Sequence, residues 1–159
     1  MQLIDYHQLS RVQRQQLTDL QVHPGQMRFA GDIASALYIL LSAHSDDRRG
    51  IALLVQDAPK AFMLIERGAH LPAWAEPDAV TLNALQVDWR CQGQGLGRFC
   101  MSALPSLVRT LWPQARRLQL SVDPDNQAAI GLYLATGWSR SGEGYRARIN
   151  REWVMTLPL

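Results

Sequence analysis

Gln92-Gly93-Gln94-Gly95-Leu96-Gly97 lies between an apolar, strand-like run, Ala79–Val87, and a periodic helix that begins at Leu96. Glycine at every second position strips the backbone of side-chain bulk, so successive N–H groups can turn toward one anion at the positive end of the helix. A phosphate or pyrophosphate is the natural ligand of such a loop. In the helix, Leu96, Phe99, Cys100, Ala103, Leu104, Leu107, Val108 and Leu111 recur at three-four spacing and define a buried face. Pro105 has no N–H for the carbonyl of Met101 and predicts a kink or split, although the apolar register continues across it.

Two familiar phosphate loops fail against this stretch. The dinucleotide fingerprint G-x-G-x-x-G needs a glycine where Arg98 stands, and it opens the first βα unit of a chain instead of lying past its midpoint. The nucleoside-triphosphate loop needs Gly-Lys-Ser/Thr, and the single lysine, Lys60, is nowhere near. What fits is Gln/Arg-x-x-Gly-x-Gly/Ala after a strand, with Gln92, Gly95 and Gly97 in the defining places. In this the stretch resembles the acetyl-coenzyme A loop of the GNAT acetyltransferases. Alone, the glycines also read as a tight strand-to-helix turn, since glycine is the default turn residue.

Length and composition suit a single domain over residues 1–159, with 47% apolar residues and a formal net charge of +2. That charge is too small for a nucleic-acid footprint, and the basic residues are scattered; Arg90 and Arg98 give mild positivity beside the loop that suits an anionic cofactor. There is no long uncharged apolar run to span a bilayer, and Met1-Gln2-Leu3-Ile4-Asp5 lacks the features of a signal peptide, so no membrane partner and a cytoplasmic location are expected. Cys91 and Cys100 flank the loop without zinc-type spacing and read as reduced thiols. His7, His23, His44 and His70 show no metal-ligand spacing, and no metal is expected.

Taken in order, residues 3–6 read as a short strand and 10–20 as a helix capped by Ser10, with Leu9, Val12, Leu17 and Leu20 on one face. Residues 26–32 carry no periodic signal; 33–42, rich in Ala and Leu, read as a buried helix capped by Asp32. After a charged loop over 44–49, strands over 51–56 and 61–67 form a hairpin around Asp57-Ala58-Pro59-Lys60. A loop with His70 and Trp74 leads into Ala79–Val87. Beyond the central helix come a strand over 118–122, a turn and cap at 123–126, a helix over 127–136 stopped by Gly137, and strands over 138–141 and 153–157. This pattern predicts an α/β (α+β) fold: one mixed sheet of about six to seven strands with helices on both faces.

A second stretch strengthens the resemblance: Leu120-Ser121-Val122-Asp123-Pro124-Asp125-Asn126-Gln127-Ala128-Ala129-Ile130-Gly131-Leu132-Tyr133-Leu134-Ala135-Thr136-Gly137-Trp138. A strand ending in Val, then Asn, Ala three further on, Tyr four beyond and a closing Gly-aromatic pair are similar to the second GNAT motif. The two motifs cover about residues 81–138, and the element order β-α-α-β-β-β-α-β-α-β-β is that of the family.

Coenzyme A is a long anionic thioester, so it needs an N–H cradle for its pyrophosphate and a strand edge for its peptide-like arm. The resemblance implies acetyl-CoA as the donor, with the cradle at Gln92, Gly93, Gln94, Gly95, Leu96, Gly97 and Arg98. It places the arm and the thioester carbonyl along Leu85, Gln86 and Val87, and further contacts at Asn126 and Ala129. An amine attacks directly, backbone N–H holds the oxyanion, and Tyr133 protonates the departing thiolate. Read from the residues alone, Tyr133 is a core tyrosine and Asn126 a helix N-cap.

The chain departs from the family pattern in the strand Thr81-Leu82-Asn83-Ala84-Leu85-Gln86-Val87, which lacks the carboxylate that many members use to deprotonate the amine. The base is then a water chain ordered by Asn83 or Gln86, a carboxylate such as Asp32, Glu76 or Asp78, or no group at all if the amine arrives neutral. Gln92 replaces the commoner Arg and shifts the charged pyrophosphate contact toward Arg98; Cys91 stands where an aromatic is frequent. His70 and Trp74 are candidates for the substrate mouth. Glu143, Tyr145 and Glu152 lie where family members contact the acceptor, and 142–155 is loosely similar to polyamine acetyltransferases. The acceptor classes left open are polyamines and other small amines, amino acids, antibiotics and protein N-termini. A module that binds acyl-CoA as a sensor or scaffold without transfer is the competing class. Strands within 138–157 are available to pair across two copies, so a homodimer stays open.

Overall fold

The computed structural model describes residues 1–147 and 150–159, with side chains described over 1–141 and 151–159. Along the chain come β1 (Gln2–Asp5), α1 (Arg11–Thr18), α2 (Met27–Ala30), α3 (Ile33–Leu41), β2 (Arg48–Val55), β3 (Ala58–Glu66) and β4 (Ala79–Val87). Then follow α4 (Leu96–Leu111), β5 (Arg117–Val122), α5 (Gln127–Ala135), β6 (Ser139–Ala147) and β7 (Asn150–Pro158). The strands form one seven-stranded sheet in the order β1-β2-β3-β4-β5-β7-β6, antiparallel except for β4 and β5.

Local chemistry sets most helix starts. Ser10 and Gln13 form a reciprocal capping box on α1, Asp32 accepts from Ser35 N–H at 2.7 Å ahead of α3, and Asn126 accepts from Ala129 N–H at 3.3 Å ahead of α5. Two apolar layers sandwich the sheet. Leu96, Cys100, Met101, Leu104, Val108 and Ile130 from α4 and α5 pack with Ile51, Met63, Val80 and Leu118. Leu17, Ile33, Ala36, Leu37 and Leu40 from α1 and α3 pack with Ala52, Phe62 and Leu64. Helices on both faces of a mixed sheet are the architecture expected. No helix among the described residues is long and apolar enough to cross a membrane.

Several local expectations change. Val12 is exposed while Leu9, Leu17 and Leu20 are buried, because the short α1 packs through one narrow edge. The β2–β3 turn falls one position early: Gln56 and Asp57 both take positive φ, 50° and 63°, and Pro59 lies inside β3 beside a bulge, where its missing N–H is tolerated. Arg48 and Arg49 belong to β2, not to a loop. Pro105 does not split α4, which runs unbroken through it. The closing strands β6 and β7 absorb most of the segment read as a loop between them.

The feature that positions the site is the short pairing of the two parallel strands. β4 and β5 are in register only at Ala79–Arg117, Val80–Leu118 and Thr81–Gln119. Beyond Thr81, β4 stays paired with β3 and β5 with β7, so the sheet splits between them.

Candidate active site

A cleft of about 390 Å³ opens where β4 and β5 separate. Leu82, Ala84, Leu85 and Val87 of β4 form one wall, and Leu120 and Val122 of β5 with Asn126, Ala129, Leu132 and Tyr133 form the other. The glycine loop closes one end.

The three glycines do different work. Gly93 and Gly95 take φ of 75° and 79°, the left-handed region that side-chain-bearing residues avoid. At Gly97 an added Cβ would come within 3.3 Å of Leu132 and 3.9 Å of Val87, so its bareness lets α4 approach both walls. Phe99 N–H, bonded to the Gly95 carbonyl at 2.9 Å, is the first amide of this segment to find a backbone acceptor. The amides of residues 93–98 have none among the described residues. Free N–H groups at the start of a sixteen-residue helix, with its positive dipole end behind them, are donors available to an anion.

Arg98 lines the cleft and donates to the Ala135 carbonyl at the end of α5 at 3.3 Å. Arg90 does not share that role. Its guanidinium pairs with the buried Asp88 carboxylate, which that hydrogen bond holds below the usual carboxylate range, and it also caps the Asp19 carbonyl. Gln92 ties the loop to its surroundings, donating to Gln26 Oε1 at 2.8 Å and to the Val87 carbonyl at 3.2 Å.

Tyr133 lies against Trp138, with ring centroids 6.0 Å apart, and lines the cleft. Its hydroxyl has no partner among the described residues, and burial pushes its pKa up to about 12. The phenol stays protonated below that value, and the residue is part of the cleft lining. Asn126 is the helix N-cap read from the sequence: its Oδ1 accepts from Ala129 N–H at the start of α5, and the residue also lines the cleft.

Most residues expected to bind the cofactor come together here: Leu85, Val87, Gln92, Gly93, Gly95, Leu96, Gly97, Arg98, Asn126, Ala129 and Tyr133. Two side chains do not. Gln86 is buried on the opposite face, where its amide donates to the Ala30 and Asp32 carbonyls at 2.8 and 3.0 Å and anchors α2 and α3. Gln94 is exposed and outside the cleft. None of the carboxylates considered as a base lies in the cleft: Asp32 caps α3, Asp78 pairs with Arg117, and Glu76 stands apart. His70 and Trp74 are absent from its lining, His70 being bonded to Ser45 and Arg48. Glu152 does line it, whereas Glu143 and Tyr145 lie outside the residues whose side chains are described.

Sequence reasoning missed Arg28, Phe29 and Ala30 of α2 and Gln26 just before it, which line the cleft. A four-residue helix carries no periodic signal, so only the tertiary contact reveals it. It also missed Glu66, whose carboxylate reaches Asn83 from the end of β3.

A split mixed sheet with free amides at the head of the helix after the split strand is the frame of the site. The chain belongs to the acetyltransferase (GNAT) family, whose family model matches residues 18–138. Among solved structures, it is similar to the GNAT domain of S. lividans PAT (18% identity, TM-score 0.73, covering 99% of this chain and 89% of that one). It is also similar to the aminoglycoside acetyltransferase AAC(6')-Ib in complex with coenzyme A and kanamycin (17%, TM-score 0.69, 99% and 92%). A third is the spermidine N-acetyltransferase of Vibrio cholerae in complex with CoA and spermine (15%, TM-score 0.70, 99% and 94%). No curated protein sequence matches significantly.

Proposed function

We propose that this chain transfers the acetyl group of acetyl-CoA to a primary amine of a small molecule by direct attack, with Tyr133 as general acid. The observation that carries the reading is the pairing, within one cleft, of the unpartnered amides of Gly93, Gly95, Leu96, Gly97 and Arg98 with a Tyr133 hydroxyl that has no partner among the described residues. The residues fit the cofactor: the amides of Gly93, Gly95, Leu96 and Gly97 with Arg98 suit a pyrophosphate, and the β4 edge at Leu85 and Val87 with the Asn126 amide suits the arm. Bound there, acetyl-CoA supplies an activated thioester.

With acetyl-CoA bound, Tyr133 would give its proton to the departing sulfur and regain one from solvent, and the attacking amine would release its own proton to water. The low-dielectric walls around Tyr133 disfavour the phenolate and keep the acid loaded. A polar end formed by Asn83, Ser121, Asp123 and Glu152 suits an amine more than a wholly apolar acceptor. The solved relatives named above, with kanamycin and with spermine, are consistent with a small-amine acceptor.

The test is steady-state thiol release from acetyl-CoA against spermine, kanamycin, free amino acids and short peptides, with wild type and Tyr133→Phe. Wild type turns over on one of these classes, and the variant loses about a hundredfold or more in kcat while binding acetyl-CoA as before. Equal turnover by the two proteins would remove Tyr133 from the mechanism. Binding of acetyl-CoA with no turnover on any acceptor would leave a sensor.

A further inference from the structure

Asn83 is the extra residue of a β-bulge. Leu64 pairs with Ala84 and Ile65 with Leu82, so Asn83 has no opposite number on β3. Bulges re-aim a side chain out of the regular alternation, and here the side chain joins the cleft lining. Its Nδ2 donates to Glu66 Oε2 at 2.5 Å.

The orientation of that amide follows from what stands behind it. Glu66 is buried, and its other oxygen accepts from Arg48 Nε, 2.5 Å away. A carboxylate facing a guanidinium is an acceptor only, so Asn83 must offer it the NH2 group and turn Oδ1 away. Arg48 is fixed in turn: one terminal nitrogen donates to the Ile39 carbonyl at 3.1 Å and the other lies 3.3 Å from His70 Nδ1. Because a guanidinium has no acceptor, His70 Nδ1 accepts, and the Nε2 proton points to Ser45 Oγ at 2.8 Å. From His70 to Asn83 each donor and acceptor follows from its partner, and the chain ends at a carbonyl oxygen without a partner among the described residues.

We propose that Asn83 Oδ1 is the ligand of the acceptor amine, and that Glu66 is a positioning residue that holds the Asn83 amide in that orientation from behind the bulge. The inference rests on the reading of this cleft as the site of acetyl transfer to an amine. An ionised carboxylate hydrogen-bonded to the NH2 polarises the amide and makes Oδ1 a stronger acceptor for an ammonium or amine N–H. The strand then supplies an amine ligand although it carries no carboxylate of its own.

The experiment is a double-mutant cycle on Asn83→Ala and Glu66→Gln, using the fastest amine of the panel above and reading the KM of the amine and the KM of acetyl-CoA separately. Asn83→Ala raises the amine KM about ten- to a hundredfold and leaves the acetyl-CoA KM within about twofold. Glu66→Gln raises the amine KM about three- to tenfold, and adds nothing in the Asn83→Ala background, since Glu66 acts only through that amide. A loosened fold would shift both Michaelis constants; Asn83 is exposed, so its truncation opens no core cavity. An unchanged amine KM in Asn83→Ala, or fully additive effects, would overturn the inference while leaving acetyl transfer intact. Absence of turnover by the wild type on every amine would overturn the parent reading and this inference with it.

Discussion

Tyr133 keeps its proton well into the alkaline range, because burial pushes the phenol from 10.0 up to about 12. The folded state holds this proton more tightly than the unfolded chain, so its contribution to stability is complete below pH 10 and is lost as pH rises through about 12. The phenol stays protonated over the same range. A pH profile of kcat therefore shows no fall traceable to Tyr133 below about pH 10; a fall near pH 8 that vanishes in Tyr133→Phe would contradict the burial argument. The cysteines give a second residue-scale outcome. Cys100 is fully buried in α4 with its thiol pushed up to about 12, whereas Cys91 is half-buried at the loop. A thiol reagent should titrate Cys91 in the native protein and reach Cys100 only after denaturation; rapid reaction of both would show that α4 opens at low cost.

The loop and its helix form one unit, held by left-handed glycines at the head and by apolar packing along the length. Alanine at Gly95, with φ of 79°, costs about 1–2 kcal/mol in that conformation and turns the cradle amides out of line. Acetyl-CoA affinity in Gly95→Ala falls about tenfold or more, measured by calorimetry, while far-UV dichroism is unchanged. Gly97→Ala is milder, because the atom it meets is the mobile tip of Leu132. Unaltered affinity in Gly95→Ala would mean that the free amides are not the cradle.

Elements whose boundaries are set by neighbouring residues were legible in the sequence. β4 begins and ends where its apolar run does, α5 starts at the Asn126 cap, and the glycine triplet marks the head of α4. What escaped depends on distant partners. The bulge at Asn83 exists only against β3, the Glu66 carboxylate matters only because Asn83 faces it, and α2 is held to the site by Gln26 on Gln92 and Gln86 on Ala30. The shift of the β2–β3 turn to Gln56-Asp57 is of the same kind, since strand register outweighed the local preference for a turn at Pro59.

At the scale of the molecule, the sheet is one body interrupted at one place. β4 is fixed by β3 and β5 by β7, and the two part after Thr81, so the cleft is built into the topology. The α4–α5 layer supplies the glycine-loop amides and Tyr133 from one side, and α2 supplies Arg28 and Phe29 from the other. A ligand spanning both sides binds the folded state alone and must raise its melting temperature as its concentration exceeds the dissociation constant. The most direct measurement is calorimetric titration of the wild-type protein with acetyl-CoA. The account predicts saturable binding at one site per chain, weakened about tenfold or more in Gly95→Ala and unchanged in Tyr133→Phe; no detectable heat and no thermal shift at millimolar acetyl-CoA would contradict it.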